Sequence, residues 1–294
     1  MEKLINHLSL NNFCLIQPEI SLQRPFILTS PHSGKKTTKQ IEGKIKKTPN
    51  NYLPMEDMFV NDISLELDKS GCSILQSNIS RIVIDLNREE NELDPSFISD
   101  PPEHINFNIT NKSRSGIGLV PTHNVKGEKI YKKNLLWEDV HYRISNYYLP
   151  WHKLLRDEIN RLLKIFGHVF VIDLHSMPSS NYNLISQDVD FVIGNNFDNS
   201  SSKYARQILA KHIESSGYKI LFNNPYSGGF ITKNYSSPKK NVQCIQIEIN
   251  KKLYMDEKEF IKNKNFEEFS KDLKVILECF FNDISYSQRK FAAE

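Results

Sequence analysis

The sequence predicts an α/β protein, a three-layer α/β/α sandwich around a mixed, mostly parallel sheet. Three observations predict it. Short apolar runs alternate with helical patterns along the 294-residue chain. The run Val169-Phe-Val-Ile172 is apolar at four successive positions, as in a strand buried on both faces. Titratable residues stand where such runs finish, which is where open α/β sheets hold their ligands.

Bulk properties narrow the function. A composition 39% hydrophobic and 25% charged is that of an ordinary soluble globular protein, and no linker divides residues 1–294 into separate domains. The net charge of +3 is too small to predict a nucleic-acid partner. No signal-peptide core and no run of membrane-spanning length is present, so no membrane partner is expected. Cys14, Cys72, Cys244 and Cys279 are scattered without a Cys-x-x-Cys pair, which predicts reduced thiols and a cytoplasmic protein. Any metal site must then use histidines and carboxylates.

The first predicted strand, residues 25–30, runs into the turn Pro31-His32-Ser33-Gly34. Residues 35–47 hold six lysines against one glutamate and, lacking interleaved aromatics, read as a solvated loop. Phe59, Val60, Ile63 and Leu67 fall at helical spacing and predict a helix over residues 55–69, with Gly71 just past its end. Strand-like runs follow at 72–76 and 81–86, the second ending Asp85-Leu-Asn87-Arg88. Residues 89–115 are polar and proline-marked, which suits a lid or a mobile segment. Short extended pieces are expected at 116–122 and 130–131, around a Lys126-Gly127 turn.

A helix over 133–166 must be interrupted at Pro150, which lacks a backbone donor and crowds the preceding turn. It ends at Gly167 and feeds the strand from Val169, which is expected to finish at Asp173 and His175, before Ser-Met-Pro. Another strand covers 190–194. Ser201 or Ser202 caps a helix that stops at Gly217. A strand over 219–222 leads into Asn223-Asn-Pro-Tyr226-Ser-Gly228-Gly229-Phe230. Residues 243–249 form a buried strand interrupted by Glu248, and a helix over 266–282 closes the chain.

His32, Asn87 with Arg88, His175 and Glu248 thus collect at strand ends, with Asp57 near a helix start. Two neutral imidazoles and a carboxylate with an open fourth position make a catalytic zinc pattern. A further carboxylate is then needed as base, and Glu248 sits in an apolar strand where a carboxylate is costly unless it is paired or has a task.

These residues carry a family resemblance. Ser30-Pro-His-Ser-Gly34, Asp57-x-x-Val60, Ser80-Arg-Ile-Val-Ile-Asp-Leu-Asn-Arg88, Gly118-Leu-Val-Pro-Thr122 and Pro150-Trp-His152 come first. Ile172-Asp-Leu-His-Ser-Met177, Asn224-Pro-Tyr-Ser-Gly-Gly-Phe-Ile-Thr232 and Gln246-Ile-Glu-Ile-Asn250 follow. In this order, over about residues 26–257, they resemble the N-formylglutamate amidohydrolase family, relatives of the zinc carboxypeptidases. The resemblance implies zinc held by His32, His175 and Asp57, with Glu56 the neighbouring alternative to Asp57. It implies Glu248 as catalytic base and Arg81 as the cation on the scissile carbonyl. Asn87 and Arg88 would grip a substrate carboxylate, and Tyr226, Gly228 and Gly229 would form a substrate loop. Asp173 reads as an acceptor behind His175 or a buried structural residue, and His152 as a structural residue as readily as a functional one. The chain departs from the family at Asn234-Tyr235-Ser236, where His-Tyr-Gly is usual, and in the polar segment after Arg88.

The implied activity is hydrolysis of an N-acyl amino acid, foremost N-formyl-L-glutamate to L-glutamate and formate, by a monomer or small homo-oligomer. Alternatives are a zinc carboxypeptidase or deacylase acting on another acyl amino acid or peptide, and a non-catalytic binding protein on a hydrolase fold. Intact His32, His175, Arg88 and Glu248 argue against the last.

Overall fold

A computed structural model describes residues 6–10, 12–46, 52–180 and 188–293. Eight strands form the main sheet: β1 (Asn6–Leu10), β2 (Phe13–Gln17), β3 (Phe26–Ser30), β4 (Ser73–Ser77), β5 (Val169–Met177), β6 (Phe191–Gly194), β7 (Ile220–Phe222) and β8 (Val242–Asn250). Their spatial order is β1-β2-β4-β3-β5-β8-β6-β7. The centre, β4-β3-β5-β8, is parallel, whereas β2 on one side and β6 on the other run antiparallel to it. The sheet is therefore mixed, as expected.

Side-chain alternation sends each central strand into two cores. Phe170, Ile172 and Leu174 pack with Phe26, Leu28 and Ile245 against the helices Val60–Leu65, Lys203–Ser215 and Phe266–Ala293. Val169, Val171 and Cys244 pack with Ile27 and Leu75 against Trp151, Leu155 and Leu162 of the helix Leu149–Phe166. On this second face the apolar pattern stops part-way. Along β5 it reads Val169, Val171, Asp173, His175, and along β8 Val242, Cys244, Gln246, Glu248. Asp173 lies beside Gln246 and His175 beside Glu248 in the parallel register. One face is thus core at its lower end and polar at its carboxyl end.

Several expectations need correction. β5 does not finish at His175; all nine of its residues are buried and it runs to Met177, because β8 pairs with it throughout. Residues 81–86 are not a strand. Ile82, Val83 and Ile84 are fully buried, but the backbone turns there instead of pairing, so an apolar run marked burial and not sheet. The helix expected over 55–69 is shorter, Val60–Leu65, preceded by a 3-10 turn at Leu53–Met55. Phe59 at its N-cap is left-handed (φ 67°), so Asp57 stands outside the helix. The interruption at Pro150 takes the form of a π-helical turn, Ile144–Tyr148, between Trp137–Arg143 and Leu149–Phe166. Pro150 offers no N–H to the Asn146 carbonyl, and the wider turn absorbs the loss.

The segment 89–115 is ordered by a 3-10 turn at Pro95–Phe97 and a short helix Asn111–Arg114, capped by Thr110. The last helix extends to Ala293. Part of the lysine-rich loop, residue 47, lies outside the described residues. No described helix is long and apolar enough to cross a membrane, and all four cysteines are free.

Candidate metal centre and substrate cavity

The carboxyl end of the sheet opens into a cavity of about 800 Å³. His32, just past β3, Asp57, and His175 on β5 meet at its floor, all three buried. One ligand atom from each lies within 4.8 Å of the others. Asp57 Oδ2 is 3.0 Å from His175 Nδ1 and 3.5 Å from His32 Nδ1. The Asp57 N–H donates to the His32 carbonyl at 2.9 Å, so the two segments are joined at the site itself.

Each imidazole is held from behind. His32 Nε2 lies 2.6 Å from Asp85 Oδ1, and His175 Nε2 lies 2.8 Å from Asp173 Oδ2. A carboxylate only accepts, so both Nε2 atoms carry a proton, and both Nδ1 atoms are turned toward Asp57, that of His175 within hydrogen-bond distance of it. Carboxylate–histidine pairs of this kind orient metal ligands and raise their basicity. His32 Nδ1 is buried with no hydrogen-bond partner among the described residues. An unpartnered buried ring nitrogen beside a second ring nitrogen and a carboxylate fits a divalent metal with nitrogen and oxygen ligands.

Electrostatics match this. Burial alone would raise the Asp57 carboxyl, but His175 and His32 hold it well below the usual range. Burial would lower His175, but Asp173 and Asp57 hold it well above its ordinary value. Asp85, also buried, is kept ionised by Arg81, His32 and Arg88. The adjacent Glu56 has the opposite fate. Burial pushes its carboxyl up to about 8, and it faces away from the histidines, accepting from Ser80 Oγ and from the Arg81 N–H. Of the two neighbours, Asp57 is the one in the cluster.

Glu248, 6% exposed, lines the same cavity. Gln246 Nε2 donates to Glu248 Oε1 at 2.8 Å, while Gln246 Oε1 accepts from the Gly229 N–H at 2.6 Å. Burial pushes the Glu248 carboxyl up to about 7, against the pull of His175. A carboxyl titrating there can both take and return a proton near neutrality.

Arg81 and Arg88 reach the cavity from the Ser80–Arg88 turn. Arg81 Nε and Nη2 both donate to Asp85 Oδ2 at 2.8 Å, leaving Nη1 with one long contact, 3.4 Å, to the Met55 carbonyl. Arg88 is held loosely, its Nε 3.5 Å from Asp85 Oδ2 and its Nη1 3.6 Å from Glu92 Oε1. Asn87 lines the cavity but its amide is committed: Oδ1 accepts from the Ile231 N–H at 2.7 Å and Nδ2 donates to Asp173 Oδ2 at 3.2 Å. Tyr226, Gly228 and Gly229 form a wall of the cavity. Gly228 has φ 118°, and a Cβ on Gly229 would fall 2.4 Å from Asn87 Nδ2, so the backbone closes against Asn87 only without side chains. His152 and His123 lie outside the cavity lining. His152 Nδ1 meets the Tyr235 hydroxyl at 2.7 Å, and His123 packs on Phe97.

Sequence reading passed over Asp85, Gln246 and Lys251. Asp85 and Gln246 each lie two residues before a residue that was singled out, so strand alternation is the signal that could have found Gln246. Nothing in the chain's pattern marks Lys251.

Residues 24–255 match the family model for N-formylglutamate amidohydrolase. The chain belongs to the N-formylglutamate amidohydrolase family. Curated members with which it aligns are N-formylglutamate deformylases of Pseudomonas putida, 27% identical over 80% of this chain and 83% of that one, and of Pseudomonas aeruginosa, 27% identical over 79% and 83%. The crystal structure of N-formylglutamate amidohydrolase from Ralstonia eutropha JMP134 superposes with a TM-score of 0.87, covering 96% of this chain and 100% of that one at 26% identity. A gene product from Agrobacterium tumefaciens shares the fold, with a TM-score of 0.66 at 16% identity over 93% and 96% of the two chains.

Proposed function

We propose that this member of the N-formylglutamate amidohydrolase family is a zinc enzyme that converts N-formyl-L-glutamate and water into L-glutamate and formate. The observation that carries the reading is the pair of Nδ1 atoms turned toward Asp57, each ring backed by a buried carboxylate, beside a glutamate raised toward neutrality.

His32, Asp57 and His175 would hold the zinc. When bound, such an ion brings the pKa of a water down to about 7 and polarises the amide carbonyl. Glu248 takes the proton from water as the new oxygen–carbon bond forms at the formyl carbon. It then delivers that proton to the amide nitrogen, so the C–N bond breaks to free amine and formate. Arg81 Nη1 is the donor left to face negative charge building on the carbonyl oxygen. Arg88, whose fork has no close partner, receives the α-carboxylate and sets the amide against Glu248. Asn87 serves the site by steadying Asp173 behind His175, and the Tyr226–Gly229 wall encloses the amino-acid part of the substrate.

Metal analysis together with formate release from N-formyl-L-glutamate tests the reading. Stoichiometric zinc, loss of activity on chelation and recovery on adding zinc are expected. Glu248→Gln should keep the metal and lose about 100-fold or more in kcat; near-normal formate release by that variant would overturn the assignment.

A further inference from the structure

Lys251, the first residue after β8, is a cavity-lining cation that the proposed chemistry leaves without a task. It is only 4% exposed. Its ammonium carries three N–H donors. Two are committed to backbone, to the Glu56 carbonyl at 2.7 Å and the Pro54 carbonyl at 3.1 Å. The third meets no acceptor among the described residues. Two fixed carbonyls also remove most of the freedom of a lysine head, so the remaining donor is aimed before any ligand arrives. Burial pulls its pKa down, with Asp57 and Glu257 acting the other way.

Of the other cations lining the cavity, half-buried Arg81 is largely neutralised by Asp85, Arg88 is assigned to the α-carboxylate, and Lys112, Lys126, Lys233 and Lys258 are exposed. A second anionic group on the substrate therefore needs a second partner. We infer that Lys251 is a specificity-determining residue whose third N–H donates to the side-chain carboxylate of a dicarboxylic N-acyl amino acid. The inference rests on the amidohydrolase reading and adds to it: the site selects an acidic side chain. The same lysine braces the Pro54–Glu56 backbone ahead of Asp57, which ties the selection of substrate to the geometry of the ligand set.

The test compares kcat/KM for N-formyl-L-glutamate with that for N-formyl-L-glutamine, which has the same shape and the same α-carboxylate but a neutral side chain. The zinc-loaded wild-type protein should favour glutamate, and Lys251→Met should shrink the glutamate-to-glutamine ratio by about ten-fold or more. Lys251→Arg, which restores the charge and donors, should recover part of it. Should Lys251→Met fail to fold, Lys251→Gln, which can still reach one carbonyl, is read in the same way. Equal losses on both substrates would mean a structural or oxyanion role and would overturn the inference, as would an unchanged ratio. Where the wild-type protein releases formate from neither compound, the parent reading fails. Calorimetric binding of the two compounds to wild type and variant then decides Lys251 by the same ratio.

Discussion

Asp173 and His175 lie two positions apart on one face of β5, with Asp173 Oδ2 2.8 Å from His175 Nε2. The carboxylate is itself fixed by the Thr29 hydroxyl at 2.6 Å and by Asn87. Asp173→Asn keeps the shape but offers an amide that can present a donor to Nε2–H. Zinc affinity should fall about 10–100-fold, the cost typical of losing such a partner. Competition with a chelator measures it, and an affinity within two-fold of wild type would dismiss the supporting role.

The tandem Glu56-Asp57 makes a second comparison possible. Asp57→Ala removes the carboxylate that faces both Nδ1 atoms and should weaken zinc by more than the ~100-fold attached to supporting residues. Glu56→Gln, which alters a side chain turned toward Ser80 and Arg81, should bind zinc nearly as wild type. The reverse result would transfer the ligand role to Glu56.

Gly229→Ala probes the cavity wall. The new methyl would overlap Asn87, which cannot yield because it bonds the Ile231 N–H and Asp173. A cost of about 1–3 kcal/mol is expected from this overpacking, together with reduced formate release. Unchanged thermal unfolding would show that the wall can move aside.

Glu158 gives a pH prediction away from the metal. Burial raises its carboxyl, but Arg161, Ser73 and Gln17 outweigh this and hold it below its ordinary 4.5. A group depressed in the folded state binds its proton more readily in the unfolded chain. Its stabilisation is therefore full above 4.5 and lost as the pH falls through the depressed value. Glu158→Gln should cost about 1–3 kcal/mol at neutral pH, and the gap to wild type should close in acid. Denaturant unfolding of zinc-free protein across that range checks it; a constant gap would refute the linkage.

Strands β3 to β8 and their flanking helices were legible because apolar spacing reports burial, and burial follows alternation in β5 and β8; β1 and β2 were not, since residues 1–25 show no clear pattern. What the spacing could not tell was whether a buried run pairs. Ile82-Val-Ile84 is as apolar as a strand yet turns, and the turn brings Arg81 and Arg88 to the cavity and Asp85 behind His32. His32, His175 and Glu248 were visible as polar residues beside apolar runs. Asp85 was not, because its importance lies in a partner brought from elsewhere in the chain, His32. Lys251 was hidden for a related reason, as its carbonyl partners come from Pro54 and Glu56, far away in sequence.

The change from apolar to polar along one face of β5 and β8 has a consequence for folding. Because neighbouring residues point to opposite faces, sliding either strand by a single residue would drive Asp173, His175 or Glu248 into the aromatic core around Phe170 and Phe280 and lift Leu174 or Ile247 into the cavity. Misregistered pairing is thus penalised by the polar residues of the site itself. The site acts as a check on its own assembly, because the residues that give it its chemistry are those a wrong register would bury at a cost.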